Sequence, residues 1–247
     1  MLRITRDVIQ WIKDYYRGNP DGKAIIGISG GKDSTICAKL LVEALGKNRV
    51  IGVMMPNGEQ KDIKDSYVVC ERLGIIYHIV NIGNAYAGLL NEMFDRVPGS
   101  YPAPAEIETN LPSRLRMATL YSVAALYPNS RVVNTSNWSE RYIGYSTKFG
   151  DGAGDFSPLG NLTVREVLAI GDDLGLPHDF VHKVPSDGMS GKSDEDKIGF
   201  TYEELDNYLL IENETPSREV LDKIVKMHEA NRHKLLRMPT FNPQEEP

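Results

Sequence analysis

Hydrophobic and polar positions along the 247-residue chain follow two alternating rhythms. Short apolar runs at 23–28, 49–55, 75–82 and 131–135 read as buried strands. Between them, at 34–46, 61–73, 84–94 and 112–127, apolar residues recur at three- and four-residue spacing, the period of helices that cover a sheet. Strand and helix in regular alternation predict an α/β fold, a doubly wound parallel sheet with helices on both faces, within a single domain over 1–247. In such sheets ligands bind beyond the carboxyl ends of the strands.

Punctuation refines this outline. Thr163-x-x-Glu166 and Thr201-x-x-Glu204 are capping boxes, and Ser217 after Pro216 opens a long final helix. Two segments read as mobile and able to close over a substrate: 97–112, with four prolines, and 185–199, with three glycines and a charge run. The amino-terminal MLRITRDVIQWIKDYYRG is an amphipathic helix charged throughout, without the apolar stretch of a signal peptide. No apolar run is long enough to span a bilayer.

The first strand runs into a turn, IIGISGGKDSTICAKLL, where Ser29-Gly30-Gly31 sits between the strand and a helix start. Glycine tolerates the backbone such a turn needs, and the helix amino terminus presents free N–H groups and the positive end of its dipole. This is an anion cradle suited to phosphate. It is not a Walker loop, because Asp33 rather than Ser or Thr follows Lys32, and Gly27, Gly30 and Gly31 have the wrong spacing for a dinucleotide fingerprint. Asp33 is a carboxylate able to hold Mg²⁺ against phosphates. The plainer alternative is a strand-to-helix turn capped by Asp33 or Ser34.

Composition narrows the partners. A net charge of −6 speaks against a large nucleic-acid surface, which needs clustered Lys and Arg. Cys37 and Cys70 have no metal-ligand spacing and read as core residues of a cytoplasmic protein. The five histidines, at 78, 178, 182, 228 and 233, show no matched ligand spacing either.

The loop Ser29-Gly30-Gly31-Lys32-Asp33-Ser34 resembles the SGGxDS loop of the ATP pyrophosphatases, and a second stretch narrows the likeness. Asn134-Thr135 through Glu140, then Gly144-Tyr145-Ser146-Thr147-Lys148-Phe149-Gly150-Asp151-Gly152 and Asp155, closely resembles the segment that identifies NAD synthetases in that group. Ser113-Arg114-Leu115-Arg116-Met117, the Pro185-Ser186 and Ser193-Asp194-Glu195 region, and His233-Lys234 add further matches, so the likeness runs from about residue 20 to the end. It implies an adenine nucleotide alpha hydrolase-like fold and amidation of deamido-NAD to NAD by ATP and ammonia through an adenylated carboxylate. By resemblance, ATP is held by Gly27, Ile28, Ser29, Gly30, Gly31, Lys32, Asp33, Ser34, Thr135 and Ser186. Mg²⁺ would be held by Asp33 and Glu140. Arg114, Lys148, Asp155, His233 and Lys234 would contact deamido-NAD in a homodimer, with Asp33, Lys148 and Asp155 the catalytic candidates and Asp155 the one placed to position ammonia. The length leaves no room for a glutaminase domain, so free ammonia or a separate donor protein is expected to supply the nitrogen.

The chain also departs from that pattern. Val164 stands where many members carry an ATP-contacting lysine, with Arg165 next to it; Asn134 replaces a glycine, Ser113 an alanine and Lys192 a glutamine. Two other readings remain: a tRNA-modifying pyrophosphatase, disfavoured by the acidic balance, and a catalytically silent nucleotide sensor, favoured only by Val164.

Overall fold

A computed structural model describes residues 1–60, 63–99, 101–182, 193–210 and 216–241. In chain order the elements are α1 (Arg3–Tyr15), β1 (Ala24–Gly27), α2 (Lys32–Leu45), β2 (Val50–Met54), α3 (Ile63–Leu73), β3 (Ile76–Ile79), α4 (Gly83–Arg96), α5 (Ala105–Ala124) and β4 (Arg131–Val132). There follow α6 (Trp138–Tyr142), α7 (Val164–Asp173), α8 (His178–Val181), α9 (Asp194–Ile198), α10 (Tyr202–Leu210) and α11 (Arg218–Leu235).

The four strands form one parallel sheet in the order β3-β2-β1-β4, with Ala24 level with Val50 on one side and Arg131 on the other. Side chains alternate across it. Ile26 and Val50 join Val8, Ile9 and Ile12 of α1, the apolar face of α2, and Val167 and Ile170 of α7. Ile25, Ile51, Val53 and Val132 meet Met117, Leu120 and Val123 of α5 on the other face. Helices thus cover both faces. The chain builds outward from β1 to β3, then returns to place β4 on the other side of β1, so the winding reverses between β1 and β4. A third cluster, with Ile143, Val164, Ile198, Tyr202, Leu205 and Ile224, joins α6, α7, α9, α10 and α11 beside that switch point.

Two helix starts differ from expectation. α2 begins at Lys32 rather than residue 34, which puts Lys32 and Asp33 in its first turn. α5 starts at Ala105, well before residue 112, and carries the buried Pro112 inside it. A residue before proline is biased away from helix, which hid this start. The region expected to be mobile at 97–112 is therefore helical from Ala105 onward, whereas that at 185–199 is described only from Ser193, where α9 has its own capping box from Ser193 and Asp196. The boxes at Thr163 and Thr201 and the Ser217 cap form as expected.

Candidate active site

β1 delivers the chain at Gly27 into a turn that folds on itself: Ser29 Oγ and Ser34 Oγ lie 3.0 Å apart, and the Gly31 amide donates to Ser29 Oγ at 3.2 Å. Gly30 takes φ +77°, and a Cβ there would lie 3.0 Å from the Asp65 side chain and 3.1 Å from the Ser66 amide. Only glycine fits. The residue capping α2 is Gly31, which offers no side chain to the first-turn N–H groups, so the capped-turn alternative with Asp33 or Ser34 does not hold.

A cavity of about 540 Å³ opens beyond the carboxyl ends of β1, β2 and β4. Gly27, Ile28, Ser29, Gly31, Lys32, Asp33, Ser34, Thr135 and Glu140 all line it, with Gly30 shaping the turn behind. Asn137 ties the Asp33 carboxylate to the start of α6: its Nδ2 donates to Asp33 Oδ1 at 3.2 Å, and its Oδ1 caps α6 by accepting from the Glu140 backbone amide at 3.0 Å. Burial, followed by repulsion from Asp33, pushes the Glu140 carboxyl up to about 8. Lys32 Nζ lies 2.6 Å from Asp33 Oδ2. Burial works against its charge, but the Asp33 and Glu140 carboxylates outweigh that and hold it up to about 12. A pair of hard carboxylates in a mutually repulsive, half-buried setting suits a divalent cation such as Mg²⁺, completed by substrate phosphates.

The residues given by resemblance to the dinucleotide divide into two places. Arg114 Nε donates to the Lys148 carbonyl at 3.2 Å, and Lys148 Nζ to the His233 carbonyl at 2.7 Å. Lys234 Nζ reaches the carbonyls of Gly144 and Ser146 at 2.8 and 3.0 Å. Those four residues share one cationic surface beside the cavity. Asp155 lies elsewhere, exposed just past β4: its Oδ2 accepts from the Val132 amide at 2.7 Å and its Oδ1 from the Tyr121 hydroxyl at 3.2 Å. Ser186 and Lys192 lie outside the described residues.

Several cavity residues were missed as site residues. Arg116 lines the cavity whereas Arg114 is exposed, because two positions on a helix are about 200° apart. Arg116 Nε donates to the Met55 carbonyl at 3.0 Å, and burial lowers its guanidinium's affinity for the proton. Asp151 also faces the cavity, its Oδ1 accepting from Ser113 Oγ at 2.7 Å and the Thr147 amide at 2.9 Å. The hydroxyl that Ser113 adds relative to alanine is what makes that contact. Asn134 likewise replaces its expected glycine usefully, donating to the carbonyls of Asp151 and Ala153 at 2.6 and 2.9 Å and so tying down the loop. Val164 is buried, and Arg165 turns its guanidinium to Asn207 Oδ1 on α10.

A family model described as NAD synthase matches residues 4–239. The NH3-dependent NAD+ synthetase of Pyrococcus furiosus is 36% identical over 245 residues, covering 92% of this chain and 91% of the relative. Among solved structures, NMN synthetase from Francisella tularensis superposes with a TM-score of 0.87 at 33% identity, over 97% of both chains. NH3-dependent NAD synthetase from Campylobacter jejuni superposes at 0.76 with 27% identity, again over 97% of each.

Proposed function

The chain belongs to the NAD synthase family, and on that premise we propose that it is an ammonia-dependent ligase that amidates deamido-NAD to NAD at the expense of ATP. The observation that carries the reading is the meeting of the glycine turn, Asp33 and Glu140 in one cavity at the switch point. A nicotinate carboxylate does not react with ammonia, because oxide is too poor a leaving group. Its oxygen attacks the α-phosphorus of ATP, pyrophosphate leaves, and ammonia then displaces AMP from the acyl carbon, shedding a proton.

In this reading the amides and hydroxyls of 29–34 hold the phosphates, in a geometry set before the charge develops. Asp33 and Glu140 would hold Mg²⁺, which when bound supplies neutralisation of the phosphate charge. Arg114, Lys148, His233 and Lys234 would orient the dinucleotide, and Asp155 is assigned to position ammonia. Thr135 contacts ATP. A homodimer and a cytoplasmic location complete the proposal; unpaired, buried Cys37 and Cys70 agree with a reducing compartment, and no described helix is long and apolar enough to cross a membrane. Incubation with ATP, Mg²⁺, ammonia and deamido-NAD is expected to yield NAD, AMP and pyrophosphate in equal amounts. Release of ADP, or no release of AMP, defeats the reading.

One observation favours a second substrate. The likeness to an NMN synthetase points to nicotinate mononucleotide as the acid, with identical chemistry at the carboxylate. Comparing kcat/KM for the two acids at saturating ATP and ammonia decides between them.

A further inference from the structure

α6, which carries Glu140 into the cavity, is five residues long. Isolated helices shorter than about 12 residues are marginal in water, so the side chains around α6 decide where it lies. Arg141 Nη1 donates to the Gly160 carbonyl at 2.8 Å, and the Tyr142 carbonyl accepts from His228 Nδ1 at 2.7 Å. Two further tethers end on carboxylates: Asn137 donates to Asp33, and Ser139 Oγ to Asp206 Oδ1. Those two differ in what an entering ligand does to them. Asp33 lines the cavity, so a cation arriving there competes for the oxygen that Asn137 holds at 3.2 Å. Asp206 stands on α10 outside the lining, 1% exposed, and its bonds are out of that ligand's reach.

Asp206 also joins α6 to a longer helix. Its Oδ2 accepts from the Arg165 amide at 2.8 Å, while Ser139 Oγ, itself buried, accepts from the Val164 amide at 3.1 Å. With Thr163 Oγ1 taking the Glu166 amide, the three leading N–H groups of α7 all end on side-chain oxygens. Asp206 thus sits where the positive end of the α7 dipole favours a carboxylate, and from there it draws in the residue next to Glu140. Of the four tethers, this one alone is a carboxylate bond with both partners buried, where the low local dielectric strengthens it.

We propose that Asp206 is a positioning residue for the reaction: through Ser139 it fixes α6, and so the place at which Glu140 presents its carboxylate, once Asp33 is given over to the ligand. A group behind a metal ligand acts by orienting it, and such orientation is worth most where the ligand's own element is too short to hold itself. The assignment rests on the reading that Glu140 holds Mg²⁺ against the phosphates of ATP.

Calorimetric titration of the full chain with a non-hydrolysable ATP analogue, once with Mg²⁺ and once with EDTA in its place, measures the tightening that the cation confers. Asp206→Asn keeps the size but turns an N–H group toward one of the two donors; it should cut that tightening about tenfold or more, with the affinity in EDTA near wild type. Thr163→Ala separates positioning from mere stability: it uncaps the same helix and lowers Tm, but its hydroxyl serves Glu166 of α7, so the tightening should stay at the wild-type value. Undiminished tightening in Asp206→Asn, or an equal loss in Thr163→Ala, overturns the assignment. If Asp206→Asn gives no cooperative thermal transition, Ser139→Ala, which cuts the same bond and leaves Asp206 on the Arg165 amide, takes its place with the same expected loss. No tightening in the wild-type chain, or full tightening in Glu140→Gln, defeats the underlying reading of Glu140 and the assignment with it.

Discussion

Glu140, proposed to help hold Mg²⁺, is a residue whose charge the fold penalises. Burial, and after it repulsion from Asp33, pushes its carboxyl up to about 8 from the ordinary glutamate value of 4.5. The folded chain therefore binds this proton more tightly than the unfolded chain, and stability falls as pH rises from about 4.5 to about 8. Glu140→Gln removes that cost. It should abolish turnover, by about a hundredfold or more, yet raise Tm at pH 8 by about 2–4 °C for each kcal/mol relieved, as scanning calorimetry of the nucleotide-free protein would register. Asp155 gives a second test. If it positions ammonia, Asp155→Asn lowers kcat even at saturating ammonia; unchanged turnover there removes Asp155 from the chemistry. At this scale the sequence was legible where motif spacing anticipated which residues share one cavity, as with Asp33, Thr135 and Glu140. It was illegible where the outcome turns on which way a helix faces, as with Arg116 against Arg114, or on distant partners, as with Ser113 and Asp151.

Elements were readable where apolar period and cap agreed. The four strands and the boxes at Thr163 and Thr201 fall where the pattern put them, because burial and capping act over a few residues. α5 was misread because Pro112 lies inside it, and a buried proline in a helix is stabilised only by packing that the local sequence does not reveal. Close approach between helices is equally hidden. A Cβ on Gly171 of α7 would come within 2.9 Å of both Ile36 on α2 and Val181 on α8. Gly171→Val should therefore cost about 1–3 kcal/mol of stability through overpacking, read by urea denaturation, while the KM for ATP stays near wild type because no residue of α7 lines the cavity.

For the molecule as a whole, β3 and α4 leave apolar side chains uncovered, among them Ile76, Ile79 and Leu89 at 43–53% exposure. Sedimentation equilibrium is expected to return twice the 27.6 kDa chain mass, as a homodimer requires; a monomer at micromolar concentration would contradict it. The parallel sheet with helices on both faces follows from alternation, whereas the strand order β3-β2-β1-β4 does not, because nothing local says on which side of β1 the last strand will pair. The cavity proposed to seat the nucleotide also straddles two halves of unequal strength. β1 and β2 pair over four residues, but β4 contributes only Arg131 and Val132 to the sheet, extended by a single bridge from Val133 to Phe156. The far wall, carrying Asn134, Thr135 and ultimately Glu140, is thus stitched on by a short seam. A tightly held polyphosphate would act as a clasp across it, so the amides of 132–134 should slow their deuterium uptake on saturation far more than those of β2.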